Sequence, residues 1–342
     1  MTDTPRHPLH AYWNLAAAPV RAEALNAALS LGMFEALAAP QTAAELAADL
    51  GLDARNTAGL LELLWGMGLL TRTRHAEPVY GLTDVARTYF LTASPDWSGD
   101  AWRYREGRLR HAAGLLREQV RQGAQAAGGE TLERFAKQWA AAARTQQAQD
   151  QHAATVPAAL EIVSRVPEFA TAARLLDLGG GPGWVAIELA RQQDGLAAVV
   201  FDFPETVAVA RENIAAAGLA GRISVLGGDL ASDAIGGDYD LIWCSSVLHF
   251  VPDVDAALRT MHAALRPGGA LIAAHAEIGD TPDSAAETLQ FYLPMLLQGR
   301  HVGRRGEMAA RLRRLGFTRI ESFACALFPM APLQVVVARR PA

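Results

Sequence analysis

Along the first stretch of the chain, to about Leu91, apolar residues recur at helical spacing. Within residues 21–37 they fall at Ala24, Leu25, Ala28 and Leu31, one face of a helix. Thr42-Ala43-Ala44-Glu45 has the form of a capping box, in which Thr and Glu side chains satisfy the free donors of the helix they open. Gly51 breaks that helix after Leu50. A third amphipathic helix is expected over residues 55–67. Beyond it comes an extended run, a turn around His75 to Pro78, and a second extended run at 79–82. Three helices followed by a two-stranded wing is a winged-helix order. The third helix carries Leu60, Leu61, Leu63, Leu64 and Trp65 but one basic residue, Arg55. A DNA-recognition helix needs several outward Arg, Lys, Asn or Gln side chains, so dimerisation is the better reading of this region.

From about Ser94 the chain is Ala- and Gln-rich with helical periodicity. Gly128-Gly129 interrupts it, and helices are expected at 131–150 and 156–164, bridging two domains and roofing a pocket. After residue 173 the period changes. Short apolar runs at 174–178, 197–201, 223–226, 239–244 and 270–274 alternate with amphipathic stretches at 184–191, 205–217 and 254–265. That is the α/β alternation of a mostly parallel, doubly wound sheet, whose ligands sit beyond the carboxyl ends of the strands.

Composition narrows the class. The chain of 342 residues is 51% hydrophobic and 20% charged, with a net charge of -5. A mildly acidic surface repels a phosphate backbone, so a nucleic-acid partner is not expected. The two cysteines, Cys244 and Cys325, form no C-x-x-C pair. No apolar run reaches the roughly 20 residues that span a bilayer, and no signal peptide is evident. No membrane partner and a cytoplasmic location are therefore expected.

The chemistry gathers at strand ends. The strand at 174–178 runs into Gly179-Gly180-Gly181-Pro182-Gly183, glycines that let the backbone turn tightly and approach a ligand. The helix that follows is expected to point free N–H groups at the site. A dinucleotide fingerprint requires a further Gly where this chain has Trp184, and a Walker ending is absent. Three acids follow successive strands. Asp202 is placed to take both ribose hydroxyls of a nucleoside, Asp229 to accept an adenine amino group, and Asp177 to hold the loop or meet an amine.

In order, Leu176-Asp177-Leu178-Gly179-Gly180-Gly181-Pro182-Gly183, Phe201-Asp202-Phe203-Pro204, Gly227-Gly228-Asp229-Leu230, Val247-Leu248-His249 and Leu265-Arg266-Pro267-Gly268-Gly269 resemble the plant-type S-adenosylmethionine (SAM)-dependent O-methyltransferase family. Its members include caffeate, flavonoid and bacterial antibiotic-pathway enzymes, so a role in secondary metabolism is implied. The resemblance covers nearly the whole chain. It implies a Rossmann-like class I methyltransferase domain at 173–342, a helical pocket region at 94–172 and a winged-helix dimerisation domain at 1–93. It further implies an intertwined homodimer acting on a small-molecule acceptor, with Tyr12 or Trp13 of the partner closing the pocket. Asp177, Gly179, Gly181, Asp202, Phe203, Asp229, Leu230 and Ser245 would bind SAM, and His249 would remove a proton from the acceptor.

The departures from the family pattern are informative. Phe250 replaces the Asp that usually follows the histidine, and Ser245 replaces a Lys. His275-Ala276-Glu277 stands where one acid is common, and Gln298-Gly299-Arg300-His301 where a catalytic Glu would be. His275 and Glu277, two apart, are expected on one face. His249, Glu277 and His301 then suggest a Zn or Fe site, with His275 beside it. Such a site would suit an offshoot of the family that methylates the β-carbon of α-keto acids, the metal stabilising the enolate. Arg300, Arg304 and Arg144 are candidates to neutralise the acid. The alternatives are metal-free O-methylation with His249 as general base, and a non-catalytic SAM-binding regulator. His152, Trp139, Phe135, Phe291, Tyr292 and Met295 are candidate pocket residues.

Overall fold

The computed structural model describes residues 7–123 and 132–342, with side chains from 136 onward in the second span. It divides into two compact units, 1–106 and 107–342. The boundary falls inside the helix Gly99–Gln122.

The first unit opens with the helix His10–Ser30, longer at its start than the apolar spacing at 21–37 suggests. Gly32, at φ +69°, turns the chain, so Met33–Ala36 is a separate short helix. The capping box forms as expected: Thr42 and Glu45 exchange bonds at the start of Ala43–Leu50, and Gly51 ends it in the left-handed region. The Asp53 carboxylate accepts Asn56 N–H and starts Ala54–Gly66. The wing has three antiparallel strands, β1 (Gln41–Thr42), β2 (Leu70–Arg72) and β3 (Val79–Leu82), in the order β1-β3-β2. Gln41 and Thr42, the latter also the first residue of the capping box, supply the unforeseen third strand. Met33, Phe34, Leu37, Leu46, Leu61 and Leu64 form the core.

The second unit is a helix–sheet–helix layer. Its strands are β4 (Arg174–Leu178), β5 (Ala197–Asp202), β6 (Ile223–Gly227), β7 (Tyr239–Ser245), β8 (Leu265–His275), β11 (Thr318–Cys325) and β12 (Leu333–Arg339). A two-stranded parallel pair, β9 (Glu277–Ile278) and β10 (Gly303–Arg304), stands apart. The seven strands lie in the order β11-β12-β8-β7-β4-β5-β6. The first five in sequence are parallel to one another, while β12 runs antiparallel to β8 and to β11. The sheet is therefore mixed, with a parallel centre. Along β7 the pleat sends Leu241 and Trp243 into one core and Ile242 and Cys244 into the other. Burial on both faces explains why these strands read as continuous apolar runs. The chain leaves β4 toward β5 on one side and reaches β7 on the other, so a crevice opens at the carboxyl end of β4.

The bridging helix expected at 131–150 is Leu132–Arg144 followed by Gln146–Asp150; its expected first residue, Thr131, lies outside the described residues. A π-helical turn, Gln151–Thr155, joins it to Val156–Val163. Among the described residues no helix is long and apolar enough to cross a membrane.

Candidate active site

The glycine loop is set by hydrogen bonds to its own surroundings. Gly179 and Gly180 donate their N–H groups to the Phe201 carbonyl at 2.7 and 3.2 Å. Gly181 N–H donates to Asp202 Oδ2 at 2.9 Å, and Gly183 N–H to the Gly180 carbonyl at 2.9 Å. Trp184 N–H donates to Gln151 Oε1 at 3.0 Å, and Ala186 N–H to Asp177 Oδ2 at 3.3 Å. Pro182 has no N–H, so every backbone donor from Gly179 to Trp184 is taken. Of the helix donors expected to be free, those of Trp184 and Ala186 are taken: Gln151 and Asp177 cap the helix Trp184–Gln192 from the side.

Gly179, Gly181 and Gly183 all have positive φ, and a Cβ at Gly179 would stand 2.3 Å from Val247 Cγ2. The loop thus lies against the segment that carries His249. Asp177 sits beneath it, 1% exposed, where burial pushes its carboxyl up to about 7, with the Asp202 charge adding to the shift. The Asp177 hydrogen bond goes to the helix that follows the loop, at Ala186 N–H. Asp202 accepts from Phe203 N–H as well as from Gly181 N–H, and burial raises it to about 6 against those bonds.

The remaining cofactor candidates lie at the same end of the sheet. Asp202 pairs in register with Gly227, at the end of β6, and Asp229 follows two residues on. Asp229 Oδ1 accepts Ala231 N–H at 2.9 Å. Phe203 precedes the helix Pro204–Ala216, Leu230 is half-buried against the core, and Ser245 ends β7 opposite Ala274. Acids at the tips of adjacent parallel strands, apolar neighbours between them and a loop without Cβ atoms suit the ribose, adenine and methionine parts of SAM.

Gln151 was not singled out from the sequence. Its Nε2 donates to the Gly180 carbonyl at 2.9 Å while its Oε1 takes Trp184 N–H. Gln147 Oε1 lies 3.2 Å from where a Gly181 Cβ would be, and the His152 ring packs on Trp184 at 4.2 Å. The π-turn that begins at Gln151 supplies this geometry; such turns recur at functional sites.

Past β7 the chain turns at Ser246, a non-glycine residue at φ 56° whose N–H donates to Ala274. The turn brings His249 inside, 3% exposed. Its Nδ1 lies 2.6 Å from the His301 carbonyl oxygen, which fixes the proton on Nδ1 and leaves Nε2 as the lone-pair nitrogen. Nε2 has no partner among the described residues. Burial holds the imidazole below its ordinary 6.5, with the nearby His301 and Arg300 charges contributing and the His301 carbonyl opposing. The Tyr292 and His275 rings lie 5.2 and 5.6 Å away between centroids.

The structure does not bring the expected metal ligands to one point. Glu277 does not share a destination with His275: its two oxygens accept Gly306 and Met308 N–H at 2.7 and 2.9 Å and cap the helix Glu307–Arg314. His275 stays with His249. The His301 ring stands 3.8 Å from Glu307, and it is the His301 backbone that reaches His249. Among the described residues no cluster of three His, Cys, Asp or Glu side chains is arranged to hold an ion.

Of the candidate arginines, Arg144 is paired with Glu212 through both guanidinium nitrogens, and Arg304 is exposed. Arg300 packs over the Phe250 ring at 4.9 Å, and Trp139 meets the same ring edge-on at 5.2 Å. Phe291 and Met295 pack on the core, and Tyr292 is buried within it; the Phe135 side chain lies outside the described residues.

A parallel-centred sheet, a glycine loop with acids at the next two strand ends, and a buried imidazole against that loop define a SAM-dependent methyltransferase. The O-methyltransferase domain matches residues 116–318 and the O-methyltransferase dimerisation domain residues 13–92, so the chain belongs to the O-methyltransferase family. It is 31% identical to acetylserotonin O-methyltransferase of Mus musculus molossinus over 333 residues, 91% of this chain and 84% of that protein. It is 32% identical to 3-hydroxy-5-methyl-1-naphthoate 3-O-methyltransferase of Streptomyces sahachiroi over 244 residues, 67% of this chain and 65% of that one. Human N-acetylserotonin methyltransferase, solved with SAM, shares the fold over the full length of both chains, with a TM-score of 0.72 and 23% identity.

Proposed function

We propose that the protein methylates a hydroxyl group on a small aromatic acceptor, with His249 as general base. One observation carries this reading: a buried imidazole whose Nδ1 is committed to the His301 carbonyl and whose Nε2 lone pair has no partner among the described residues. A base of this kind must be neutral at working pH and held in one tautomer. Burial supplies the first condition and the carbonyl the second. SAM supplies an electrophilic methyl on a sulfonium. Asp202 and Asp229 would hold its nucleoside, and Asp177 and Gln151 would keep the loop in shape. The aromatic side chains of Trp139, Phe250 and Tyr292, all near His249 or its neighbour, suit a flat acceptor. The two curated relatives named above are O-methyltransferases of acceptors with fused aromatic rings, which supports the same class.

Metal-assisted methylation of an α-keto acid would require Glu277 and the His301 ring to leave their present partners and join His249 Nε2 around an ion. The helix cap formed by Glu277 makes that costly, because the buried Met308 N–H would be left without its acceptor and Gly306 N–H would lose its own.

Hydroxylated arenes and an arylpyruvate, each assayed with SAM before and after treatment with a chelator, separate the two readings. Hydroxyl methylation unaffected by the chelator, and reduced about 10²–10⁴-fold in His249→Ala, is the expected outcome. Arylpyruvate methylation that the chelator abolishes would overturn it.

A further inference from the structure

Two ring nitrogens at the centre of the site have no protein partner among the described residues, His249 Nε2 and His275 Nδ1. The His249 reading uses only the first. His275 ends β8 and is 3% exposed. Its Nε2 accepts Leu248 N–H at 3.2 Å, so in the neutral ring the proton resides on Nδ1. Burial, with the neighbouring His249 and His301 charges, holds this imidazole well below 6.5 and therefore neutral. One ring thus presents a lone pair and the other an N–H. The two meet edge to face with centroids 5.6 Å apart. Rings this close can be bridged by one oxygen that accepts from the N–H and gives its proton to the lone pair. A buried donor left without an acceptor is unfavourable, and native proteins keep few of them unless a ligand completes the bond.

We propose that His275 is a second catalytic group, donating its Nδ1–H to the acceptor oxygen while His249 Nε2 takes that oxygen's proton. The proposal rests on the hydroxyl-methylation reading and specifies how the hydroxyl is held. In the step, the O–H bond breaks with its proton passing to His249. An oxygen lone pair forms the new bond to carbon, and the sulfur–carbon bond breaks with its electrons staying on sulfur. An aromatic hydroxyl, with a pKa near that of Tyr at about 10, carries little charge at neutral pH. A donor aimed at the oxygen lowers the cost of its ionisation and leaves one lone pair pointing at the methyl. The backbone adds a constraint: Leu248, which orients His275, is the residue next to His249. The base and the donor are thereby tied to one short turn.

The test uses the full-length protein, SAM and two hydroxyl acceptors of different acidity, a naphthol and a nitrophenol. His275→Leu is expected to lower kcat on the naphthol about 100-fold and to cost less on the nitrophenol, which ionises more readily. SAM affinity, read by calorimetry, stays unchanged. His275→Gln retains an N–H donor and an oxygen that can accept from Leu248, and recovers much of the rate. Equal losses on both acceptors, or SAM binding lost in step with the rate, would assign His275 a structural role and overturn the proposal. Nitrogen-15 spectra of histidine-labelled protein read the tautomers without any turnover: both rings are expected to be protonated at Nδ1, and a proton on Nε2 of His275 overturns the proposal. Full rate in His275→Leu alongside an inactive His249→Ala sinks this inference alone. A wild type inactive on hydroxyls and active on a carbon acceptor sinks the preceding reading with it.

Discussion

At the scale of single residues, the site depends on carboxyl and imidazole groups kept out of water. Asp202 titrates near 6 because burial outweighs the two backbone N–H bonds that favour its charged form. As the proposed acceptor of ribose hydroxyls it must be ionised, so acid works against the cofactor. SAM affinity is expected to rise as pH increases from 5 and to level off above about 6 to 7, with the gain below the midpoint no steeper than about tenfold per pH unit. Calorimetry across that range checks this, and a flat profile would count against Asp202 as ribose ligand. His249 is shifted the other way, below 6.5, and is the base only when unprotonated. The acidic limb of kcat/KM therefore belongs below pH 6.5.

At the scale of elements, the π-helical turn Gln151–Thr155 connects the bridging helices to the cofactor loop through one amide. Removing it frees a carbonyl and a helix donor together. Gln151→Ala should cost about 1–3 kcal/mol, at roughly 0.5–1.5 per hydrogen bond, shared between stability and SAM affinity. Melting curves with and without SAM separate the two shares, and a variant that melts and binds like the wild type would show the clasp to be incidental. No local pattern marks Gln151, which reads as one more polar residue in a Gln-rich helix. By contrast, the glycine loop and the strand-end positions of Asp202 and Asp229 were legible because turn geometry and strand ends impose residue types at fixed spacings. The partner of His249 was not legible, being a backbone carbonyl 52 residues away with no side-chain signature. Glu277 looked like a ligand because its role as a cap depends on a helix that starts about 30 residues later. Strands β11 and β12 escaped notice because they form an antiparallel edge whose pairing partner is β8, a non-local fact.

At the scale of the whole molecule, the first unit carries an apolar face that its own core does not use. Leu9, Tyr12, Trp13, Leu15 and Val20, along the helix His10–Ser30 and the residue before it, are each more than half exposed. Patches of this kind mark association surfaces, and this one lies at the start of the segment that matches the dimerisation domain. Trp13→Glu should shift the protein from dimer toward monomer in sedimentation velocity, and an unchanged dimer would place the interface elsewhere. The second unit shows a different economy. Its glycine loop has already given every donor from Gly179 to Trp184 to the Phe201 and Gly180 carbonyls, the Asp202 carboxylate and Gln151. What such a loop offers a ligand is oxygen. A ligand with a polyanionic tail would find those N–H groups already engaged, whereas one bearing a positive sulfur would face the Asp202 carboxylate. Where other glycine loops turn free N–H groups toward an anion, this one has a carboxylate in that place.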